Sequence, residues 1–321
     1  MDDFLVTGPY EKLEEQIDMM QGDMKMGEVV RLYEIGDKGT LIGLDLEKIE
    51  GGFAVSRGAH YVRDMQDVLG LRECKTAATP EVKSLSKEAD DDVALNSEQH
   101  RDYRKVVGMM IFYTDWRPDV QHAVLRVSRG VANPCRRDMR LLKRAVRYLA
   151  GTTEVRLILK PVRGDPVITC CTDSDWADDA TTRKSVSGGA LMLHGCLLRS
   201  WSRSQATVAL SSCEAELAAL ALGAAEALGL QSLLTEVEKL RHVKMWTDSS
   251  SAKSLIARRG PGRMKHIDIK MLAIQEWAAD RLLSVSKVST EENASDLLTK
   301  PMTRDRMVYL GRKLGLSGGI F

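Results

Sequence analysis

Tyr103, Val106, Val107, Met110 and Ile111 recur at steps of three and four, and Val120, Val124 and Val127 resume the pattern after Pro118. This period predicts two successive amphipathic helices, each with one apolar stripe turned to a core. A third helical stretch follows, with Met139, Leu142, Val146 and Leu149 opposite Arg136, Arg140, Lys143, Arg144 and Arg147. Upstream, LIGLDLEKIEGGFAV alternates apolar and polar residues around Gly51 and Gly52, the pattern of a β-hairpin. YVRDMQDVLGL reads as a short amphipathic helix. EVKSLSKEADDDVALNSEQH is polar without a steady period and reads as a linker.

After Asp165 the pattern changes. VITCCTD is a continuous run of small apolar residues closed by an acid, as expected for a central strand covered on both faces. SVSGGALMLHG and CLLRSWSR, with a glycine-containing turn between them, predict two more strands in an antiparallel meander. SSCEAELAALALGAAEALGLQSLLTEVEKL predicts a long helix capped by Ser211 or Ser212, with Glu214 or Glu216 near its first turn. HVKMWT (strand), DSSSAKSLI and MKHIDIKMLAIQEWAAD (helices), RLLSVSKVS (strand) and NASDLLTK (short helix) complete the order. The fold class is therefore α/β, a mixed sheet of three antiparallel strands followed by parallel ones, flanked by helices.

The 321 residues carry a net charge of +1, which hides an asymmetry: from Arg101 to Arg163 there are 15 Lys and Arg against 5 Asp and Glu. Such a block suits a polyanion, although many charged faces only meet water. The cationic face of the third helix has the spacing for phosphate-backbone contact and carries no sequence readout. The six cysteines lack CxxC or Cys/His metal spacing, and they read as reduced thiols of an intracellular protein. The first residues lack the basic and apolar regions of a signal peptide, and no apolar run approaches the roughly eighteen residues that cross a bilayer. The expectation is a soluble protein, cytoplasmic or nuclear, with no membrane partner.

Four acids carry the candidate chemistry: Asp173, Glu216, Asp248 and Asp296. Each has an ordinary explanation, for Asp173 a loop carboxylate, for Glu216 a first-turn helix contact, for Asp248 and Asp296 helix caps. Glu216 lies two positions from Glu214, so the two point to nearly opposite sides. Glu216, with Leu220 and Gly223, takes the sheet-facing side. Jointly, the order of strand-end Asp, inward helical Glu, strand-end Asp and late helical Asp suggests convergence, with nothing cationic beside them locally. Four carboxylates stay ionised together only if cations neutralise them. Oxygen ligands in that number ask for a hard divalent metal, most simply magnesium.

TDSDWADD, TTRKSVSGG, RSWSRSQATVALSSCEAELAAL, MKHIDIK and ASDLLTKPM together resemble the ribonuclease H domain of reverse-transcribing elements, specifically the C-terminal part of copia-type retrotransposon Pol polyproteins. The resemblance covers about residues 165 to 316. It departs at Ser295, where the family usually has Ala, and at Leu217, where it often has Tyr. LIGLDLEKIEGGFAVSRGAHYVRDMQDVLGLRECKTAATP and the basic helices after Tyr103 are similar to the end of the reverse transcriptase palm, its thumb and its connection. MDDFLVTG resembles the surroundings of the polymerase aspartates, which would make Asp2 and Asp3 former metal ligands.

The resemblance implies a palm remnant at 1-80, a linker at 81-98, thumb and connection helices at 99-162, a ribonuclease H domain at 163-300 and a helical tail at 301-321. DNA polymerisation is not expected, because the fingers and most of the palm lie outside these residues, and a hairpin without its partner strands would expose its edges. Asp173, Glu216, Asp248 and Asp296 would be both the catalytic residues and the ligands of two Mg2+ ions, with Mn2+ as the other candidate. The partner would be an RNA/DNA hybrid whose RNA strand is hydrolysed, with a separate reverse transcriptase chain as a second partner. Ser249, Lys265, His266, Arg136, Arg140, Lys143, Arg144 and Arg147 are the nucleic-acid-binding candidates. Ser174, Ser249 and Ser250 are candidates for 2′-hydroxyl contacts, and His266 for proton transfer or product release. The alternative is a decayed element fragment that only binds nucleic acid.

Overall fold

The computed structural model describes residues 4–83, 85–86, 88–164, 166–179, 181–236, 242–260 and 269–321. In chain order these form α1 (Tyr10–Asp23), β1 (Lys38–Leu41), β2 (Leu44–Ile49), β3 (Gly52–Ser56), α2 (Ala59–Leu69), α3 (Ser97–Tyr113), α4 (Pro118–Arg129), α5 (Arg136–Ala150) and β4 (Arg156–Leu159). There follow β5 (Val167–Asp175), β6 (Val186–Leu193), β7 (Cys196–Ser204), α6 (Ser212–Leu234), β8 (His242–Thr247), α7 (Ser250–Ile256), α8 (Ile269–Ala279) and β9 (Leu283–Lys287). A 3-10 helix at Ala294–Leu298, then α9 (Arg304–Lys313) and β10 (Leu316–Ser317), close the chain.

β2 and β3 form the expected hairpin, turning at Gly51, whose φ of 73° suits glycine. The hairpin is not left without partners, contrary to the expectation from sequence. β3 pairs with β4, and β4 with β10, so the antiparallel order is β1-β2-β3-β4-β10. Gly52 admits this pairing, since a Cβ there would fall 2.0 Å from the Leu159 carbonyl oxygen. The C-terminal tail is thus a helix plus a strand returned to the first sheet.

The second sheet has the order β7-β6-β5-β8-β9. β5 is central, antiparallel to β6 and parallel to β8, as the continuous apolar run of VITCC required. α6 lies across β5, β6 and β8. Its close approach depends on Gly223, where a Cβ would meet Thr172 Cγ2 at 2.5 Å and Cys170 Sγ at 3.1 Å. Contrary to the reading that no apolar run is long enough, α6 alone among the described residues has the length and hydropathy of a membrane span. Leu217, Leu220, Ala224 and Ala227 nevertheless belong to the core of the second sheet.

The two sheets are not independent bodies joined by a tether. α4 packs on β7 and on the 3-10 helix, so Val120, Ala123 and Val127 share one core with Leu197, Leu297 and Leu298. Between α4 and α5 sits a fully buried guanidinium. Arg117 donates to both Asp119 carboxylate oxygens at 2.8 and 2.7 Å and to the Thr152 carbonyl and hydroxyl at 3.1 and 2.9 Å. Tyr148 adds a hydrogen bond to Asp119 at 2.6 Å, leaving the buried charge pair well satisfied.

Candidate active site

Asp173 lies near the end of the central strand β5 and is 2% exposed. Asp248 follows β8, the strand parallel to it, and Asp296 lies in the 3-10 helix. The fold brings these three together, with one carboxylate oxygen from each lying within 4.8 Å of the others. Glu216 joins from α6, where its Oε1 accepts a hydrogen bond from the Ser174 amide at 3.2 Å. Its Oε2 is buried with no hydrogen-bond partner. Burial, and after it the negative charges of Asp173 and Asp248, push the Glu216 carboxyl up to about 8.

None of the four acids caps its helix. Ser211 caps α6 by accepting from the Glu214 amide at 3.2 Å, and Glu214 reaches back to the Leu210 amide at 2.7 Å. Glu214 and Glu216 therefore divide as their spacing required, one at the helix end and one over the sheet. Ser249 caps α7, accepting from Ala252 at 3.2 Å, while Asp248 accepts from the Thr290 hydroxyl at 2.8 Å. Asn293 caps the 3-10 helix through the Ser295 amide.

The 3-10 helix holds Asp296 against β5 by buried contacts. Asn293 donates to the Thr172 carbonyl at 3.0 Å, and Thr299 donates its hydroxyl to Asp173 Oδ2. Gly188, opposite Asp173 on β6, makes room for this helix. A Cβ there would meet Thr299 Cγ2 at 2.6 Å and Leu298 Cβ at 2.8 Å.

The expectation that no cation accompanies the acids is corrected. Lys300 Nζ stands 2.7 Å from Asp296 Oδ1 and 3.4 Å from Asp173 Oδ2, and Arg306 lies 3.4 Å from Asp296 Oδ2. Burial raises the Asp173 carboxyl above its ordinary range and Lys300 opposes the rise. The signal was available in ASDLLTK, where Lys300 follows Asp296 by four residues, one helical turn. Arg306 lies on the following helix, and nothing in its local pattern pointed back to the acids.

Other candidates are placed differently. The cationic face of α5 meets the chain's own segment 75–91. Arg136 pairs with Asp90 and Arg140 with Glu88 and Asp91. Arg144 donates to the Thr79 hydroxyl at 3.0 Å and Arg147 to the Lys75 carbonyl at 2.5 Å. The polar stretch read as a linker is thus a strap whose acids pair with Arg136 and Arg140, and of the five residues Lys143 alone makes no ion pair or hydrogen bond among the described residues. Ser249 serves as the α7 cap, Ser250 accepts from Lys287 at 2.5 Å, and Ser174 accepts a long hydrogen bond from Gln205. Asp2, Asp3, Lys265 and His266 lie outside the described residues.

A five-stranded mixed sheet of this order, with carboxylates gathered at the ends of its two central parallel strands, defines a ribonuclease H-like fold. No family model matches the chain. It is 29% identical over 98% of its length to the Retrovirus-related Pol polyprotein from transposon TNT 1-94 of Nicotiana tabacum. It is 30% identical over 98% of its length to the Pol polyprotein from transposon RE2 of Arabidopsis thaliana. It covers 24% and 21% of those two proteins, so it spans less than a quarter of either. An uncharacterized mitochondrial protein of Arabidopsis thaliana is 31% identical over 70% of this chain and 90% of its own length. Among solved structures, the foamy viral protease-reverse transcriptase in complex with dsDNA matches 89% of this chain and 53% of its own, at 10% identity and a TM-score of 0.51. The chain belongs to the copia-type retrotransposon Pol polyprotein family.

Proposed function

We propose that this chain carries the ribonuclease H activity of a retrotransposon reverse transcriptase and hydrolyses the RNA strand of RNA/DNA hybrids with two divalent metal ions. The observation that carries this reading is the meeting of Asp173, Asp248 and Asp296 oxygens within 4.8 Å, beside a buried Glu216. The residues fit hard metal ions, for every donor is a carboxylate oxygen and Glu216 Oε2 is buried without a partner. Asp173, Glu216, Asp248 and Asp296 would hold the ions, Mg2+ or Mn2+. When bound, such ions lower the pKa of an attacking water and stabilise the leaving oxygen of a phosphodiester.

The chain's own part is positioning. Asn293 and Thr299 fix Asp173 and Asp296 relative to each other, so little reorganisation is needed when charge develops at the phosphate. Ser174 holds Glu216 through its amide and leaves the second carboxylate oxygen unpartnered and buried. Phosphoryl transfer needs positioning and neutralisation more than covalent chemistry, which suits a site built from acids. A separate polymerase chain is the second partner this reading allows.

Incubation of the whole chain with a labelled RNA/DNA hybrid and Mg2+ tests the reading. Cleavage confined to the RNA strand, lost in Asp173→Asn, is expected. A wild type that binds the hybrid and leaves it intact overturns it in favour of a fragment that only binds nucleic acid.

A further inference from the structure

Lys300 is the residue of the site that no acid-counting argument explains. Its ammonium touches two of the four carboxylates, bridging Asp173 and Asp296. Thr299, the residue before it, is fully buried and holds Asp173 by a hydrogen bond, whereas the Lys300 side chain is 37% exposed. The two neighbours therefore differ in kind, Thr299 locked in place and Lys300 on a flexible four-carbon stem with a route to solvent.

A lysine bridging the same carboxylates that would hold divalent ions is a like charge at the ions' own position. It stabilises the acidic cluster by itself, and it opposes metal binding by Coulomb repulsion. The same charge becomes favourable later. Four ionised carboxylates and two divalent ions sum to zero, and a scissile phosphodiester adds negative charge that Lys300, beside the Arg306 guanidinium already paired with Asp296, can meet.

We propose that Lys300 is a tethered cation that competes with divalent ions for Asp173 and Asp296 and, once displaced, would balance the charge of the bound phosphate. This rests on the two-metal reading above and adds an order of events to it. The Lys300 ammonium would leave the carboxylates when they take up a metal ion and would find a new partner in the substrate phosphate.

Calorimetric titration of Mg2+ and Mn2+ into the whole chain, wild type against Lys300→Met, tests the proposal. Methionine keeps much of the stem and removes the charge. Ions are expected to bind Lys300→Met at least about tenfold more tightly, the floor set by removing one like charge at about 4 Å even at the dielectric of bulk water. At saturating metal the same variant is expected to raise KM for hybrid more than it lowers kcat. Lys300→Arg keeps the charge and is expected to bind metal as the wild type does. Should the methionine variant fold poorly, Lys300→Gln answers the same question. Equal metal affinity in wild type and neutral variant overturns this proposal alone, as does a gain shared equally by Lys300→Arg. A wild type that binds no divalent ion overturns the two-metal reading with it.

Discussion

The Asn293 side-chain amide donates to the Thr172 carbonyl across 121 positions of sequence, at 3.0 Å and in full burial. This one bond joins the 3-10 helix carrying Asp296 to the strand carrying Asp173, immediately before that acid. Asn293→Ala leaves a buried carbonyl without its donor and is expected to lower stability by about 1–3 kcal/mol. Because it loosens Asp296 as well, Mg2+ affinity should fall alongside. Denaturant unfolding and metal titration on the same samples check both. A loss of stability with unchanged metal affinity would separate the bond from the site.

Glu216 makes metal-free stability depend on pH. Its carboxyl is raised from 4.5 to about 8, so the folded protein keeps a proton that the unfolded chain releases. Its contribution is full below the unfolded value and is lost as pH climbs toward the folded one. Stability in the presence of a chelator should therefore fall between about pH 4.5 and pH 8. Glu216→Gln should flatten that fall, and saturating Mg2+ should oppose it by favouring the ionised carboxylate. Urea midpoints measured across this pH range decide the matter.

Arg140 sits against Glu88 and Asp91 of the chain's own strap. Arg140→Glu is expected to destabilise the fold by on the order of 1–3 kcal/mol, since it sets like charges against each other at a half-buried site. The salt dependence of hybrid binding should stay nearly unchanged, because this guanidinium is already partnered. A flatter salt slope in this variant, with stability intact, would return the α5 face to the list of phosphate contacts.

Arg117 and Asp119 are fully buried and bonded to each other. Breaking the pair with Asp119→Ala leaves an isolated guanidinium in the core and should cost about 3–5 kcal/mol. Arg117→Met with Asp119→Leu removes both charges and should recover part of that loss. Thermal melts of the single and double variants measure the difference, and equal losses in both would assign the effect to packing instead.

The element order of the second sheet and its helices, its antiparallel-then-parallel arrangement and the inward role of Glu216 were legible along the chain, because period and turn chemistry are local properties. VITCC names a strand covered on both faces, and the two-residue offset of Glu214 and Glu216 separates a helix-end acid from a sheet-facing one. The partners of the β2–β3 hairpin were not legible. β4 and β10 are only four and two residues long, and the β3–β4 and β4–β10 pairings join segments more than a hundred positions apart. The intramolecular partners of the α5 cationic face were not legible for the same reason, since periodicity says that a face is charged and not which segment lies against it.

What the amino-acid sequence determines by itself is the set of acids and the elements that carry them. The tertiary structure decided how near those acids come, that Lys300 lies among them, and that Asn293, Thr299 and Gly188 bring the last helix against the central strand. Distance between residues far apart in sequence depends on packing, and packing is a property of the whole chain.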